Sequence, residues 1–162
     1  MKHNQQVFES VFKEVLSEAQ SGAQKGEGGP FGAAIVRNGE VISLAHNTVL
    51  KDNDPTAHAE VNAIRAACKK LGTPHLKNCI LIASSEPCPM CLAAAYWAQV
   101  STIYFSLPHI IASEYGFSDS EMYKDMLRKP DTRKVKTIHC PQFENEGKTI
   151  FEKWKDSQGK VY

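Results

Sequence analysis

The sequence contains no apolar run approaching the roughly 20 residues that cross a bilayer, so no helical membrane span is expected. Its opening stretch, MKHNQQVFESVFKEVL, mixes charges into the apolar positions and lacks the apolar centre of a signal peptide. A cytoplasmic location is the expectation. Neither sign of charge dominates. Nineteen Lys and Arg against 18 Asp and Glu leave a formal net charge of +1, so no broad field favours a polyanionic partner. That weighs against tRNA or DNA, although a local basic patch stays open. Cysteine is sparse and odd in number: Cys68, Cys79, Cys88, Cys91 and Cys140. An odd set without an export signal argues against a disulfide framework. Cys68, Cys79 and Cys140 each lie in or beside an apolar stretch and read as buried small hydrophobes. Internal repeats, low-complexity tracts and linkers are also missing. What is present is an ordinary globular mix, 42% hydrophobic and 23% charged over 162 residues, enough for one domain spanning 1–162 with a proper core.

The first element is an amphipathic helix over about residues 4–23. Val7, Phe8, Val11, Phe12, Val15, Leu16 and Ala19 recur at helical spacing and leave Glu9, Lys13, Glu14 and Glu18 facing water. After the run Gly26-Glu27-Gly28-Gly29-Pro30, residues 31–36 read as a buried strand. Asn38-Gly39 makes a two-residue hairpin turn into a partner strand over 40–46. Asn53-Asp54-Pro55-Thr56 opens a second helix, with Asp54 or Thr56 as cap and Val61, Ile64, Ala67, Cys68 and Leu71 as apolar stripe. Gly72 stops it. Residues 79–83 form another buried strand. A third helix starts near Pro89 and carries Leu92, Ala93, Ala95, Tyr96 and Trp97 into the core, and 102–105 is again a strand. Beyond it the pattern loosens, with a helix around 119–128, a short strand at 134–139 and a helix near 147–157. Strands alternating with helices imply crossover connections. The expected fold is a three-layer α/β/α sandwich around a mixed, partly parallel sheet.

Chemistry concentrates in His58-Ala59-Glu60 and Pro87-Cys88-Pro89-Met90-Cys91. One imidazole and two thiolates supply three zinc ligands and leave a fourth position open, as a catalytic zinc requires. Cys88 and Cys91, three apart, share one face of a helix, and a helix N-terminus favours thiolates. His58 and Glu60 are harder to reconcile. Two residues apart means about 200° around an ideal helix, so they converge only if the metal lies at the mouth of the first turn. Taken alone, Cys-x-x-Cys also suits a redox pair or half of a structural zinc site, and His-x-Glu is ordinary helix surface. No second knuckle completes a structural site here. The conjunction His-x-Glu with Pro-Cys-x-x-Cys is the signature of zinc nucleobase deaminases.

With these residues in place, the chain resembles the cytidine deaminase superfamily, and within it the bacterial guanine deaminases and plant guanosine deaminases. The resemblance rests on Gly28-Gly29-Pro30-Phe31-Gly32-Ala33, Asn47, the run Asn53–Glu60, the run Glu86–Cys91, Gly116-Phe117-Ser118-Asp119 and Tyr162. The first four are shared broadly, and the last two point to guanine. Ser85 departs from the cysteine of many relatives, and 128–146 carries no family motif. The resemblance implies hydrolytic deamination of guanine to xanthine with one catalytic zinc per subunit, held by His58, Cys88 and Cys91. It implies Glu60 as proton carrier and Asp119 as the acid near the exocyclic amine. Asn47, Phe31, the Ala59 N–H and Tyr162 would contact the purine. It further implies a homodimer whose C-terminal segment, about 140–162, is exchanged between subunits. Read without the family, Asn47 is turn-like, Phe31 is core, Asp119 is a helix cap and Tyr162 is a frayed end.

Four other readings compete. A guanosine deaminase or a cytosine deaminase would carry the same zinc motif. A tRNA adenosine deaminase shares Asp-Pro-Thr-Ala-His-Ala-Glu, but Asp125 and Asp131 interrupt the basic stretch Lys124, Arg128, Lys129, Arg133, Lys134 and Lys136, which reads as a solvated face. A metal-binding scaffold on a deaminase fold would be expected to have lost Glu60. His3, His46, His75, His109 and His139 have no partner spacing and read as surface or satisfied core positions. Tyr96 and Trp97 read as core.

Overall fold

The computed structural model describes residues 2–162, with side chains from Phe8 onward. The side chains of His3 and Val7 therefore lie outside the described residues. The chain divides into two compact units, 1–119 and 120–162.

In the first unit, α1 (Lys2–Gln24) precedes the hairpin β1 (Gly32–Arg37) and β2 (Glu40–His46). Its turn places Asn38 at φ 54° and Gly39 at φ 82°, the left-handed pair that a two-residue hairpin needs. A short α2 (Val49–Asp52) leads to α3 (Ala59–Leu71), β3 (Cys79–Ser85), α4 (Pro89–Trp97), β4 (Thr102–Leu107) and α5 (His109–Glu114). The sheet runs β2-β1-β3-β4. β1 is antiparallel to β2 and β3, and β3 and β4 are parallel across the α4 crossover. The expected mixed sheet is present.

Alternation along β1 builds the three layers. Ala34 and Val36, with Ile82, pack against Val11 and Val15 of α1. Ala33 and Ile35, with Leu81 and Ala83, pack against Ala59, Ala63, Ile64 and Ala67 of α3 and Ala95 of α4. Fully burying a side chain such as Ile35 or Leu81 contributes about 1.5–3 kcal/mol, and both have no exposed surface. A Cβ on Gly32 would collide with the Val15 carbonyl, so this glycine lets α1 lie directly on β1.

Several local expectations are corrected. The second long helix starts at Ala59, not near Asp54, and its cap is His58. Asp54 Oδ1 instead accepts from the Thr56 N–H and hydroxyl at 2.8 and 2.7 Å, a turn that competes with helix entry. α4 buries only Cys91 and Ala95. Tyr96 and Trp97 are 77% and 73% exposed, because α4 is apolar on more sides than the sheet can cover. Glu18 does not simply face water but meets His46 at 2.6 Å. Cys140 is exposed rather than buried.

The second unit contains α6 (Ser120–Met126) and α7 (Glu144–Asp156), neither of which buries a residue. The strand expected at 134–139 does not form. The second unit contains no other strand, so within it this backbone has no ladder to join.

Candidate metal centre

Two helix starts build the centre. His58 is the N-cap of α3, in extended conformation at φ −69° and ψ 154°. Cys88 is the N-cap of α4, at φ −66° and ψ 169°, with Pro89 in the first helical position, where a missing N–H costs nothing. Neither cap side chain makes a capping hydrogen bond. Both turn toward one point instead. His58 Nδ1 lies 3.6 Å from Cys88 Sγ and 3.5 Å from Cys91 Sγ, and the three donor atoms lie within 4.8 Å of one another.

This donor set fits zinc. Zn–N and Zn–S bonds of about 2.0 and 2.3 Å at tetrahedral angles separate nitrogen and sulfur donors by about 3.5 Å, the spacing found here. The electrostatics agree. The Cys91 thiol beside Cys88, aided by His58 and opposed by burial, pulls the Cys88 thiol down to about 4. The Cys88 sulfur and burial push Cys91 up, so one proton serves two sulfurs. The hydrogen bond to Cys88 raises His58, against burial. A divalent cation relieves this crowding by taking both sulfurs as thiolates.

Glu60 completes the centre. It is only 6% exposed, and burial raises its carboxyl pKa. Its carboxylate takes part in a hydrogen bond with the Cys91 thiol and feels the charges of His58 and Cys88. The 200° separation of His58 and Glu60 does not arise, because His58 sits outside the helix with extended backbone while Glu60 is in its first turn.

Of the residues expected to recognise substrate, Asn47 lies beside the segment that leads into His58. Asn47, 5% exposed, donates its backbone N–H to the Phe31 carbonyl at 3.0 Å, and Thr48 donates to the Ala57 carbonyl at 3.0 Å, one residue before His58. Asn47 Oδ1 accepts from the Val49 N–H at 3.1 Å. A Cβ on Gly28 would strike Asn47, so the glycine run allows that close approach. Phe31 meets Phe117 edge to face, with ring centroids 4.9 Å apart. Both line a cavity of about 420 Å³ with Leu16, Ser84, Leu107 and Tyr115. His58, Glu60, Cys88 and Cys91 do not line that cavity. Ala59 is fully buried at the first position of α3. Asp119 Oδ1 is buried and accepts no hydrogen bond among the described residues. Tyr162 is exposed at the end of the second unit.

Two histidines turn out to be engaged in ways their spacing did not reveal. His109 contacts Glu86 Oε2 through its backbone N–H at 3.0 Å and through Nδ1 at 2.8 Å. That ties the start of α5 to the loop carrying Cys88. His109 also feels the charge of Asp119. His46 is held between Glu18 and Glu27. The one signal that pointed this way was the place of Glu86 beside Pro87-Cys88.

Comparison with known proteins agrees with this geometry. Residues 5–107 match the cytidine and deoxycytidylate deaminase zinc-binding region. A guanine deaminase of Bacillus subtilis is 51% identical over 110 residues, covering 68% of this chain and 70% of that protein. The crystal structure of guanine deaminase from Bacillus subtilis superposes with a TM-score of 0.86 at 42% identity, covering 91% of this chain and 93% of the other. A tRNA-specific adenosine deaminase of Aquifex aeolicus is 48% identical over 77 residues, covering 48% of this chain and 51% of that protein. Given that match and the His58, Cys88 and Cys91 donor set, the chain belongs to the zinc-binding cytidine and deoxycytidylate deaminase family.

Proposed function

We propose that the protein hydrolyses guanine to xanthine and ammonia. The observation that carries this reading is the buried Glu60 carboxylate turned onto the His58, Cys88 and Cys91 donor set. His58, Cys88 and Cys91 would hold a zinc ion there, and that ion would supply a water of lowered pKa. Glu60 would take a proton from the attacking water and deliver it to a ring nitrogen. It would then carry the second proton to the departing amine. Burial raises its carboxyl pKa, which suits a group that must hold a proton between steps. Water oxygen is gained at C2, and the C2–N bond breaks to release ammonia.

The choice of guanine draws on the relative from Bacillus subtilis and on the ring of recognition residues. Asn47 Oδ1 is occupied by the Val49 N–H, which leaves Nδ2 as its donor to the purine. The buried, unmatched Asp119 Oδ1 offers an acceptor for the exocyclic amine. Phe31 gives an aromatic wall, and the Ala59 N–H lies among the unpaired donors of the α3 start. Formal net charge of +1 offers little to a tRNA backbone.

The working form in this proposal is a homodimer in the cytoplasm, with the C-terminal segment of about 140–162 exchanged so that Tyr162 reaches the partner's pocket. Ile150 and Phe151 stand exposed on α7, as do Tyr96 and Trp97 on α4, and apolar area of this kind is normally covered in an assembly. No helix among the described residues is long and apolar enough to cross a membrane.

Ammonia release by the zinc-loaded protein against guanine, guanosine, adenine, cytosine and a tRNA anticodon loop tests the substrate. Guanine should be preferred, and a faster rate on any other substrate would replace it. Deleting Val161 and Tyr162 should cripple guanine turnover; undiminished activity would remove the exchanged terminus from the proposal.

A further inference from the structure

The last residue of β2, His46, is gripped from two sides by carboxylates. Its Nδ1 lies 2.6 Å from Glu18 Oε1 on α1, and its Nε2 lies 2.6 Å from Glu27 Oε2 in the glycine-rich loop. A neutral imidazole donates through one nitrogen only, and a carboxylate can only accept. Two such contacts therefore require the doubly protonated ring. Lys51 of α2 is the remaining charged group in the cluster, bonded to Glu27 Oε1 at 3.1 Å. From α3, Asn62 Nδ2 donates to the His46 carbonyl at 3.1 Å, and also to Thr48 Oγ1 at 2.9 Å. A Cβ on Gly22 would occupy the imidazole's place, so α1 leaves room for the ring.

α1, the glycine-rich loop and α3 thus meet at His46. The residue after it is Asn47. Glu27 precedes Gly28, against which Asn47 packs, and the Glu27 carbonyl accepts from the N–H groups of Leu50 and Lys51. We infer that His46, held as an imidazolium between Glu18 and Glu27, is a positioning residue that fixes Asn47 and the Gly28–Pro30 loop for purine binding. This inference rests on the deaminase reading above. Loss of the ring proton breaks one of the two carboxylate contacts and loosens the loop from α1, so purine binding weakens toward alkaline pH while the metal site is untouched. Burial lowers the His46 pKa, but the hydrogen bonds and charges of Glu18 and Glu27 outweigh it and raise it above the ordinary value, in the direction that favours the closed clamp.

A long-range proton–nitrogen spectrum of the full-length zinc form should show both His46 nitrogens protonated at neutral pH. A neutral, single-tautomer pattern overturns the inference. His46→Asn should raise KM for guanine about tenfold, the loss of one charge-assisted hydrogen bond, with kcat and zinc content nearly unchanged. A fall in kcat at constant KM, or loss of zinc, would show a merely structural role. Glu27→Gln both accepts and donates, so it serves a neutral ring as well as a charged one. The alkaline rise in KM should flatten in that variant, and a rise that persists overturns the inference even where His46→Asn fails to fold. Amide exchange at Asn47 and residues 28–31 should speed up in His46→Asn; unchanged exchange counts against positioning. Wild-type protein that releases no ammonia from guanine would sink the deaminase reading alone, because the spectrum and the exchange rates still report on the clamp.

Discussion

α3 and α4 start at the same metal site, yet they differ in how completely the first unit accounts for them. Each begins at a metal-binding N-cap in extended conformation, with no capping hydrogen bond. A Ser, Thr, Asp or Asn at an N-cap stabilises a helix by about 1 kcal/mol, and both helices forgo it so that His58 and Cys88 can turn toward each other. From there they diverge. α3 buries Ala59, Val61, Ala63, Ile64 and Ala67, and Glu60 beside the metal donors, while Arg65, Lys69 and Lys70 face out. α4 buries only Cys91 and Ala95, although most of its residues are apolar. One helix is explained by its own chain. The other carries the site on one side and an exposed aromatic face on the other.

The largest effect should come from the ligand that α4 supplies from inside its helix. Cys91→Ala leaves two donors where a stable zinc site needs at least three from the protein. Zinc content should fall to about one tenth of wild type or less, and turnover should vanish with it. Elemental analysis beside an ammonia assay reads both, and a variant that kept its zinc would show that the α4 start is dispensable.

Glu60→Ala on α3 should separate the two helices by function. Zinc stays, because the three donors remain, while kcat falls about 10⁴-fold, the upper range for a lost proton carrier. Wild-type turnover in that variant would strip Glu60 of its proposed role.

Next in size is the outer face of α4. Tyr96→Asp combined with Trp97→Asp changes only exposed positions, so folding should hold. In the proposed dimer the pair should weaken association at least about tenfold, visible as a shift toward monomer in light scattering. An unchanged mass would make the α4 face ordinary surface, and the contrast with α3 would lose its meaning.

The smallest effect concerns stability against pH around the His46 cluster. The hydrogen bond from His46 holds the Glu27 carboxyl below its ordinary 4.5. Its contribution is present above 4.5 and is lost as pH falls through the depressed value. The carboxylates, against burial, raise His46 above its ordinary 6.5. Its contribution is complete below 6.5 and is lost as pH rises through the raised value. Thermal stability should therefore be flat between 4.5 and 6.5 and decline on both sides. His46→Asn should flatten both shoulders, and shoulders that survive it would assign them to other groups.

Much of this was readable along the chain. The helix of α1, the Asn38-Gly39 hairpin, the strands and the parallel β3–β4 pair follow from periodicity and turn residues. What escaped reading had physical causes. The start of α3 slipped past Asp54 because its side chain closes a turn on Thr56 and cannot also cap a helix four residues on. The α4 aromatics looked like core because composition reports that a residue is apolar and not what is available to cover it. Residues 134–139 have strand composition, but their own unit contains no partner strand.

By itself the sequence determined the identity of the donors, one histidine and two cysteines at their spacings, and with them the metal and the class of reaction. Ligand chemistry is a property of side chains, so it survives without coordinates. Only the tertiary structure decided that Glu60 faces those donors, that Glu86 is fastened to His109, and that His46 clasps Glu18 and Glu27. Glu86 and His109 are 23 residues apart in the chain, and His46 is 28 and 19 residues from its two partners. No local period connects positions that far apart. His58 and Glu60 converge because one backbone residue leaves the helical path before the helix begins, a change of φ and ψ that residue type alone does not specify.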